Sequence, residues 1–544
     1  MPMKFWKLPL YPLLIAAYYP LYMMAADQGG TDVSEVIRPT AVCVLLALLL
    51  MVLLGAILRD MHRAALWVAI TVILIFGFRF VQRIIGRVVE GTAEPAAGLY
   101  ILGGMTAIAI LCAVFVRPSS NMTRIANVVA AVMVVFPVTS ILQREFSFNR
   151  ATADTRPSLP GDPGFQAAVD TGIRPNIVHI VLDGYSRQDV LADLYQFDNT
   201  PFLDLLRGLG FAVADRATSP YNQTLLVMGS VFSGAMLEGS ERLSSAVEVR
   251  DTIWGALRHN PVMGTLSRLG YRTAAVDVRY DPVRMDFLDH LLSANTITNF
   301  ENAVFQRTPL YLMAYSLGLT SPSITPEVFS TPYERQLGSP FFLYVHLLAP
   351  HPPFDVNRRG EVIEQEGGLT GLMDGDDFIK NRFVSNKANR REAYRRGYVE
   401  KLEFANQGIL SMVNRIISDA DAPTIIIIHG DHGGGLHLNQ NKLAETCVQE
   451  RFSPLLAVYA SDDRLQRSLP DDLNLANLYR LVFNTYFGTA MPLLPNRSVF
   501  AEWNNPWKQQ TVPPERLTAQ PGLCTPASRP AEVLAEPRPR PGSS

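Results

Sequence analysis

The first 145 positions hold most of the long uncharged runs of the chain, whereas the remainder alternates short apolar runs with polar ones. Five apolar stretches, near 5–25, 37–58, 65–86, 97–116 and 124–142, are long enough to cross a hydrocarbon layer of about 30 Å, which takes about 20 helical residues. The first could instead be a signal peptide with Lys4 and Lys7 as its basic end. It has no convincing small-residue cleavage site and four more spans follow, so an uncleaved span is expected. Lys4 and Lys7, Arg59 and Arg63, and Arg117 and Arg124 fall on one side if the amino end is inside, and five crossings then carry everything after residue 145 to the outer face. Arg79, Arg83 and Arg87 break this pattern. Their segment, FRFVQRIIGRV, is amphipathic at helical spacing and reads as an interfacial helix on the outer surface.

Beyond residue 175 the best strand candidates are 176–183, 211–215, 272–277, 341–348, 424–431 and 453–460, rich in β-branched and aromatic residues as strands buried on both faces should be. Helical patterns follow at 199–209, 224–234, 251–269 and 391–418. This alternation predicts an α/β unit with a mostly parallel central sheet. The expected organisation is a transmembrane bundle of about five helices (1–145), a linker (146–175), an α/β catalytic domain (176–504) and a proline-rich, largely irregular tail (505–544).

Charge removes one class of function. With 48 Lys and Arg against 50 Asp and Glu, no basic field points to nucleic acid. Of four cysteines, Cys43 and Cys112 lie in spans, while Cys447 and Cys524 lie in the soluble part, where an oxidising exterior permits a disulfide pinning the tail; two free thiols are the alternative.

In open α/β sheets ligands bind at the carboxyl ends of the strands, and three predicted strand ends finish in metal-binding residue types: Asp183, His351 in HLLAPHPPF, and Asp431-His432 in HGDHGGG. Singly, each reads as a turn or cap residue. Converging on one sheet edge, they make a site for a divalent cation of the zinc or manganese kind, with magnesium or calcium as alternatives. Thr224 stands where a polar loop enters an apolar helical run, so it is either an N-cap or a hydroxyl poised to attack phosphorus, activated by a neighbouring cation.

The segments PNIVHIVLDGYSRQDV, SPYNQTLLVMGSVFSG, YVHLLAPHPPF and HGDHGGG, in this order, resemble the sulfatase-like branch of the alkaline phosphatase superfamily. With five spans ahead of them, the arrangement is similar to that of lipoteichoic acid synthases and lipid A phosphoethanolamine transferases. The resemblance implies Thr224 as nucleophile and metal ligand, Asp183, Asp431 and His432 as the other ligands, and His351 and His437 at the substrate phosphate or a second metal. His346 is either a neighbour of the site or core packing. Arg187 reads as a solvated helix residue sooner than an anion contact, and Lys442 as a surface residue sooner than a sulfatase lysine. The formylglycine signature, Cys or Ser followed by x-Pro-x-Arg, is missing at Ser219-Pro220-Tyr221, which argues against sulfate-ester hydrolysis by that route.

The function implied is transfer of a phosphoethanolamine- or phosphoglycerol-type group from a phospholipid donor to an envelope glycan or lipid acceptor. It would proceed through a phosphothreonine intermediate, on the periplasmic side of the cytoplasmic (inner) membrane. A phosphodiesterase or sulfatase-like hydrolase using the same residues, and an inactive membrane scaffold, are the competing readings.

Overall fold

The computed structural model describes residues 8–26, 33–86, 95–116, 118–154, 163–237, 246–278, 285, 287–292, 297–316, 325–361, 374–380, 387–517 and 524. Five helices lead the chain: α1 (Tyr11–Ala26), α2 (Ile37–Leu58), α3 (Met61–Gly86), α4 (Pro95–Phe115) and α5 (Ser120–Asp154). Val33–Leu58, Met61–Phe78 and Ser120–Gln143 are long and apolar enough to cross a membrane. Helix α1, at 16 residues, is shorter than the expected first span, and residues 1–7 lie outside the described set. The predicted interfacial segment is not a separate helix: residues 78–86 continue α3 without a break, because neither proline nor a capping residue interrupts the run. Arg87 and Val88 lie outside the described residues.

Helix α5 runs through Asp154, into the stretch predicted as linker. Residues 155–162 are not described, but Phe165 and Ala168 are buried in the core of the α/β unit, so the second half of that stretch is packed structure. The burial of Phe165 also fixes Gly234, whose φ of +59° ends the helix after residue 233; a Cβ there would stand 2.7 Å from the Phe165 ring.

The α/β unit is built on a seven-stranded sheet of order β2-β7-β6-β1-β5-β3-β4, with β1 (Asn176–Leu182), β2 (Ala212–Val213), β3 (Arg272–Val276), β4 (His290–Leu292), β5 (Phe341–Leu347), β6 (Thr424–His429) and β7 (Leu456–Ala460). Strand β1 lies parallel between β5 and β6. Strand β7 runs antiparallel to both β6 and β2, and the other pairings among the described strands of this sheet are parallel. Because side chains alternate along a strand, Ile177, His179 and Val181 enter one core layer while Val178, Ile180 and Leu182 enter the other.

Helices follow the strands: α6 (Gln188–Leu194), α7 (Thr200–Gly208) and α8 (Thr224–Ser233), then the long helix Lys387–Asp419 before β6. The pattern over 251–269 is two helices, Ala246–Leu257 and Pro261–Arg268. Pro261 cannot donate inside a helix, so it starts the second, with Asn260 accepting from the Met263 N–H at 2.8 Å as its cap. Two further strands, β8 (Val499–Ala501) and β9 (Gln509–Thr511), pair antiparallel, so the first part of the predicted irregular tail is ordered. Cys524 is disulfide-bonded to Cys447, and Cys43 is free. The rest of the tail, 518–523 and 525–544, lies outside the described residues, as does the side chain of Cys112.

Candidate metal centre

The carboxyl ends of β1 and β6 set the site. Asp183 follows β1 and Asp431 and His432 follow β6, and one ligand atom from each lies within 4.8 Å of the others. All three are buried. His432 Nε2 stands 3.2 Å from Asp431 Oδ2 and 3.9 Å from Asp183 Oδ1. Thr224 Oγ1 lies 3.2 Å from the same nitrogen.

Thr224 is the first residue of α8, and the capping position belongs to Gln223, whose side chain donates to the Ala501 carbonyl instead. The capping role is therefore not the one Thr224 plays. The preceding loop is clamped: Ser219 Oγ donates to carbonyls, that of Asp431 lying 2.7 Å away, and Asn222 exchanges hydrogen bonds with Ala501, donating at 3.1 Å and accepting at 2.8 Å.

Proton positions follow from the carbonyls nearby. His432 Nδ1 faces the Gly433 carbonyl at 2.9 Å. A carbonyl only accepts, so Nδ1 carries the proton and the Nε2 lone pair points at Thr224 and the carboxylates. Burial, with Arg451 adding to it, pushes the His432 pKa down to about 4. Asp183 moves the other way, raised by burial and by the charge of Asp431 beside it.

The donor set fits a divalent cation. Both Asp183 oxygens and Asp431 Oδ2 are buried without a hydrogen-bond partner. Uncompensated carboxylates in a dry site cost several kcal/mol on the order-of-magnitude scale for buried ions, and a cation ligated by two oxygens, an imidazole and a hydroxyl would remove that cost.

His346, on β5, has Nε2 3.5 Å from Asp183 Oδ2, and its Nδ1 lies 2.8 Å from the Tyr344 hydroxyl. It borders the site rather than merely filling the core. His351 is buried beside the β1 turn: its backbone N–H donates to the Asp183 carbonyl at 3.1 Å, and its Nε2 is 3.8 Å from Asp374. His437 is set apart. Its backbone N–H donates to Glu450 at 2.9 Å, and among the described residues no hydrogen bond or ion pair joins its ring to Thr224, Asp183, Asp431 or His432. Arg187 is not solvated: it is buried, forks onto Asp189 at 2.7 Å and donates to the Ala217 carbonyl at 2.8 Å. Lys442 is a surface residue paired with Glu445.

Four supporting residues carry no recognisable motif. Arg451, fully buried, forks onto Asp374 at 2.8 and 3.2 Å and donates through Nε to the Asn222 carbonyl at 2.9 Å, tying the loop before Thr224 to the segment after residue 373. Burial raises the Asp374 pKa, but Arg451 and His351 outweigh it and hold the carboxyl well below the usual range. From the long helix, Lys401 donates to the His351 and Pro353 carbonyls at 3.2 and 2.7 Å, and Tyr398 to the Gly184 carbonyl at 2.8 Å. Both lie on one face of that helix, at i and i+3. A signal was present only in the glycines of HGDHGGG. A Cβ on Gly433 would stand 1.9 Å from the Glu450 carbonyl, so the run allows helix Val448–Phe452, which carries Arg451, to close on the site.

Deeper in the same core layer lie two histidines. Tyr479 O–H faces His179 Nδ1 at 2.7 Å, His179 Nε2 lies 2.7 Å from His429 Nε2, and His429 Nδ1 lies 2.8 Å from the Gly430 carbonyl. That carbonyl fixes the proton on His429 Nδ1, so the bonds run one way: tyrosine to His179, His179 to His429, His429 to the backbone just before Asp431.

No curated protein matches the chain. Among solved structures, the C-terminal periplasmic domain of EcEptC from Escherichia coli is 12% identical, covering 62% of this chain and 92% of that chain at a TM-score of 0.39. The integral membrane protein lipooligosaccharide phosphoethanolamine transferase A from Neisseria meningitidis is 12% identical, covering 90% and 99% at 0.38. A phosphonate monoester hydrolase from Silicibacter pomeroyi is 12% identical, covering 58% and 74% at 0.39. The Sulfatase family model matches residues 175–447, half of the chain, a stretch that takes in Asp183, Thr224, His346, His351, Asp431, His432 and His437. On that match, the chain is an enzyme of the sulfatase family, on the sulfatase-like branch of the alkaline phosphatase superfamily.

Proposed function

We propose that this membrane-anchored enzyme moves a phospho-substituent of the phosphoethanolamine or phosphoglycerol type from a lipid donor to an envelope glycan or lipid, with Thr224 as the nucleophile. The observation that carries the reading is the hydroxyl of Thr224, released from capping and set 3.2 Å from the His432 lone pair beside three unpartnered carboxylate oxygens, both of Asp183 and Oδ2 of Asp431. Asp183, Asp431, His432 and Thr224 would hold a divalent cation, zinc or manganese by donor type. When bound, it would supply charge neutralisation at the phosphoryl oxygens and lower the pKa of the hydroxyl.

Thr224 Oγ1 attacks phosphorus, its bond to phosphorus forms as the bond to the lipid oxygen breaks, and the lipid alcohol leaves with a proton. The Thr224 proton passes to solvent or to a neighbouring base. An acceptor hydroxyl then attacks the phosphothreonine, giving its own proton up and restoring the Thr224 hydroxyl. His351, whose Nδ1 faces the Pro352 carbonyl, presents Nε2 for contact with the phosphoryl group, and His346 steadies Asp183. The spans confine the site to the plane in which a lipid donor moves, which raises the donor's effective concentration. On this reading the catalytic domain faces the periplasm from the inner membrane.

Intact-mass analysis of the protein incubated with phospholipid vesicles tests the reading: an adduct on Thr224 whose mass names the transferred group is expected. Full turnover by Thr224→Ala would sink it. Release of labelled headgroup only as a small soluble phosphate ester, with none on a glycan or lipid acceptor, would make the enzyme a hydrolase.

A further inference from the structure

Part of the α/β unit leaves the sheet and returns to the spans. Helix Asn299–Gln306 opens with a capping box, Thr298 with Glu301, and buries Phe300 and Val304 against Met24 of α1, Val36 before α2 and Ile141 of α5. Glu301 serves twice: it accepts from the Thr298 N–H at 2.9 Å and is ion-paired with Arg38 of α2. The following helix, Pro309–Ser316, packs on α3 and α4. Its Tyr311 is buried and meets Phe305 edge-on at 5.6 Å. Yet Leu310 and Met313 on this helix are 52% and 50% exposed.

The level of these two side chains relative to a bilayer can be read from the spans. The end of the bundle that receives Phe300 is the carboxyl end of α1 and α3 and the amino end of α2 and α4. That end carries Tyr22 of α1, Phe80 of α3 and Tyr100 of α4, which are 47%, 62% and 82% exposed. Tyrosines gather at the headgroup level of membranes, where a ring can be half in hydrocarbon and half wet. Leu310 and Met313 therefore continue the lipid-facing surface of α3 and α4 at the interface on the side of the catalytic domain.

We propose that residues 297–316 are a membrane foot: the helix Pro309–Ser316 lies in the headgroup region with Leu310 and Met313 inserted toward the acyl chains, so the catalytic domain is seated on the bilayer as well as tethered to it. The occupant of the apolar face is phospholipid. A protein partner is disfavoured by continuity with the surface of the spans, which already meets lipid. Insertion of a short apolar face is strong here only because the neighbouring spans prepay the cost of bringing it to the membrane. The inference does not depend on the reaction proposed above.

The test uses the full chain, with Cys43→Ala and Cys112→Ala and the Cys447–Cys524 disulfide kept, reconstituted in vesicles of phosphatidylethanolamine and phosphatidylglycerol. A nitroxide is attached after Leu310→Cys, Met313→Cys, or Asp204→Cys as an exposed control. At 310 and 313, collision with oxygen is expected to exceed collision with a water-soluble nickel complex severalfold, and the order should reverse at 204. Nickel access at 310 and 313 equal to that at 204 would overturn the proposal. Protection from both reagents would also overturn it, by showing protein on that face. The double variant Leu310→Glu with Met313→Glu should cut turnover of a vesicle-embedded phospholipid at least tenfold while sparing a soluble nitrophenyl phosphodiester; equal loss on both would count against the foot. Should neither substrate turn over in the parent protein, the reaction proposed above fails while the accessibility result still decides this inference.

Discussion

Thr224 Oγ1 and His432 Nε2 stand 3.2 Å apart although 208 positions separate them in the chain. One starts a helix and the other follows a central strand, so the distance is a property of the whole sheet rather than of any local motif. Replacing Thr224 with Ala should lower turnover on the order of 10³-fold or more, as loss of a nucleophile does, with thermal stability altered by no more than about 1 kcal/mol. Thr224→Ser should keep measurable turnover. Steady-state kinetics beside a thermal melt would separate these outcomes from misfolding.

The unpartnered oxygens of Asp183 make a prediction about metal that needs no turnover. In chelated protein, Asp183→Asn should raise stability by about 1–3 kcal/mol at neutral pH, because burial beside Asp431 suppresses an ionisation of Asp183 that the unfolded chain enjoys, and the amide has none to lose. Added zinc or manganese at 100 times its dissociation constant should stabilise the parent by about 2.7 kcal/mol and the variant far less. A variant that gains as much from metal as the parent does would remove Asp183 from the ligand set.

Arg451 and Asp374 should behave as one unit. Arg451→Met strands the Asp374 carboxylate and opens the Asn222 carbonyl, a change expected to cost about 3–5 kcal/mol. Arg451→Met with Asp374→Leu should recover part of that loss, and Arg451→Lys should not replace the fork. Additive losses in the double-mutant cycle would show that the two do not interact.

A pH dependence follows from His179, whose pKa is pushed well below the ordinary value by burial and by His429. The unfolded chain takes up the proton first as pH falls through about 6.5, so the contribution is fully present above that value. It is lost toward the lower folded value, at up to about 1.4 kcal/mol per pH unit. His179→Gln can still accept from Tyr479 and donate to His429 but does not titrate. Its apparent Tm should fall less steeply than the parent's between pH 6.5 and 5, and parallel curves would contradict the assignment.

The disulfide closes a separation of 77 residues. Cys524→Ser should cost about 2–4 kcal/mol by releasing that loop, and non-reducing mass spectrometry of protein purified without reductant should find the two thiols oxidised.

What could be read from the chain follows a physical line. Asp183, Asp431 and His432 were legible because each ends a strongly β-branched run, and the geometry of parallel sheets gathers such ends. Thr224 was legible as a hydroxyl at a helix start, but its release from capping depends on Gln223 and Ala501, nearly 280 positions apart. Arg451, Asp374 and Lys401 carried no signal, since a buried ion pair on a short helix looks in sequence like any solvated charge. His437 shows the reverse: a spacing that matched a motif, at a place where the backbone N–H is bonded to Glu450 and no described hydrogen bond or ion pair joins the ring to the cluster. Phe165 and the β8–β9 pair were hidden inside segments whose prolines and glycines masked a few well-buried residues.

The amide of Asn222 closes on Ala501 the way one strand closes on another. The loop that aims Thr224 is thus completed by a segment that leaves the ribosome hundreds of residues later. In a chain ending before residue 499 the Ser219 and Arg451 clamps alone would hold that loop.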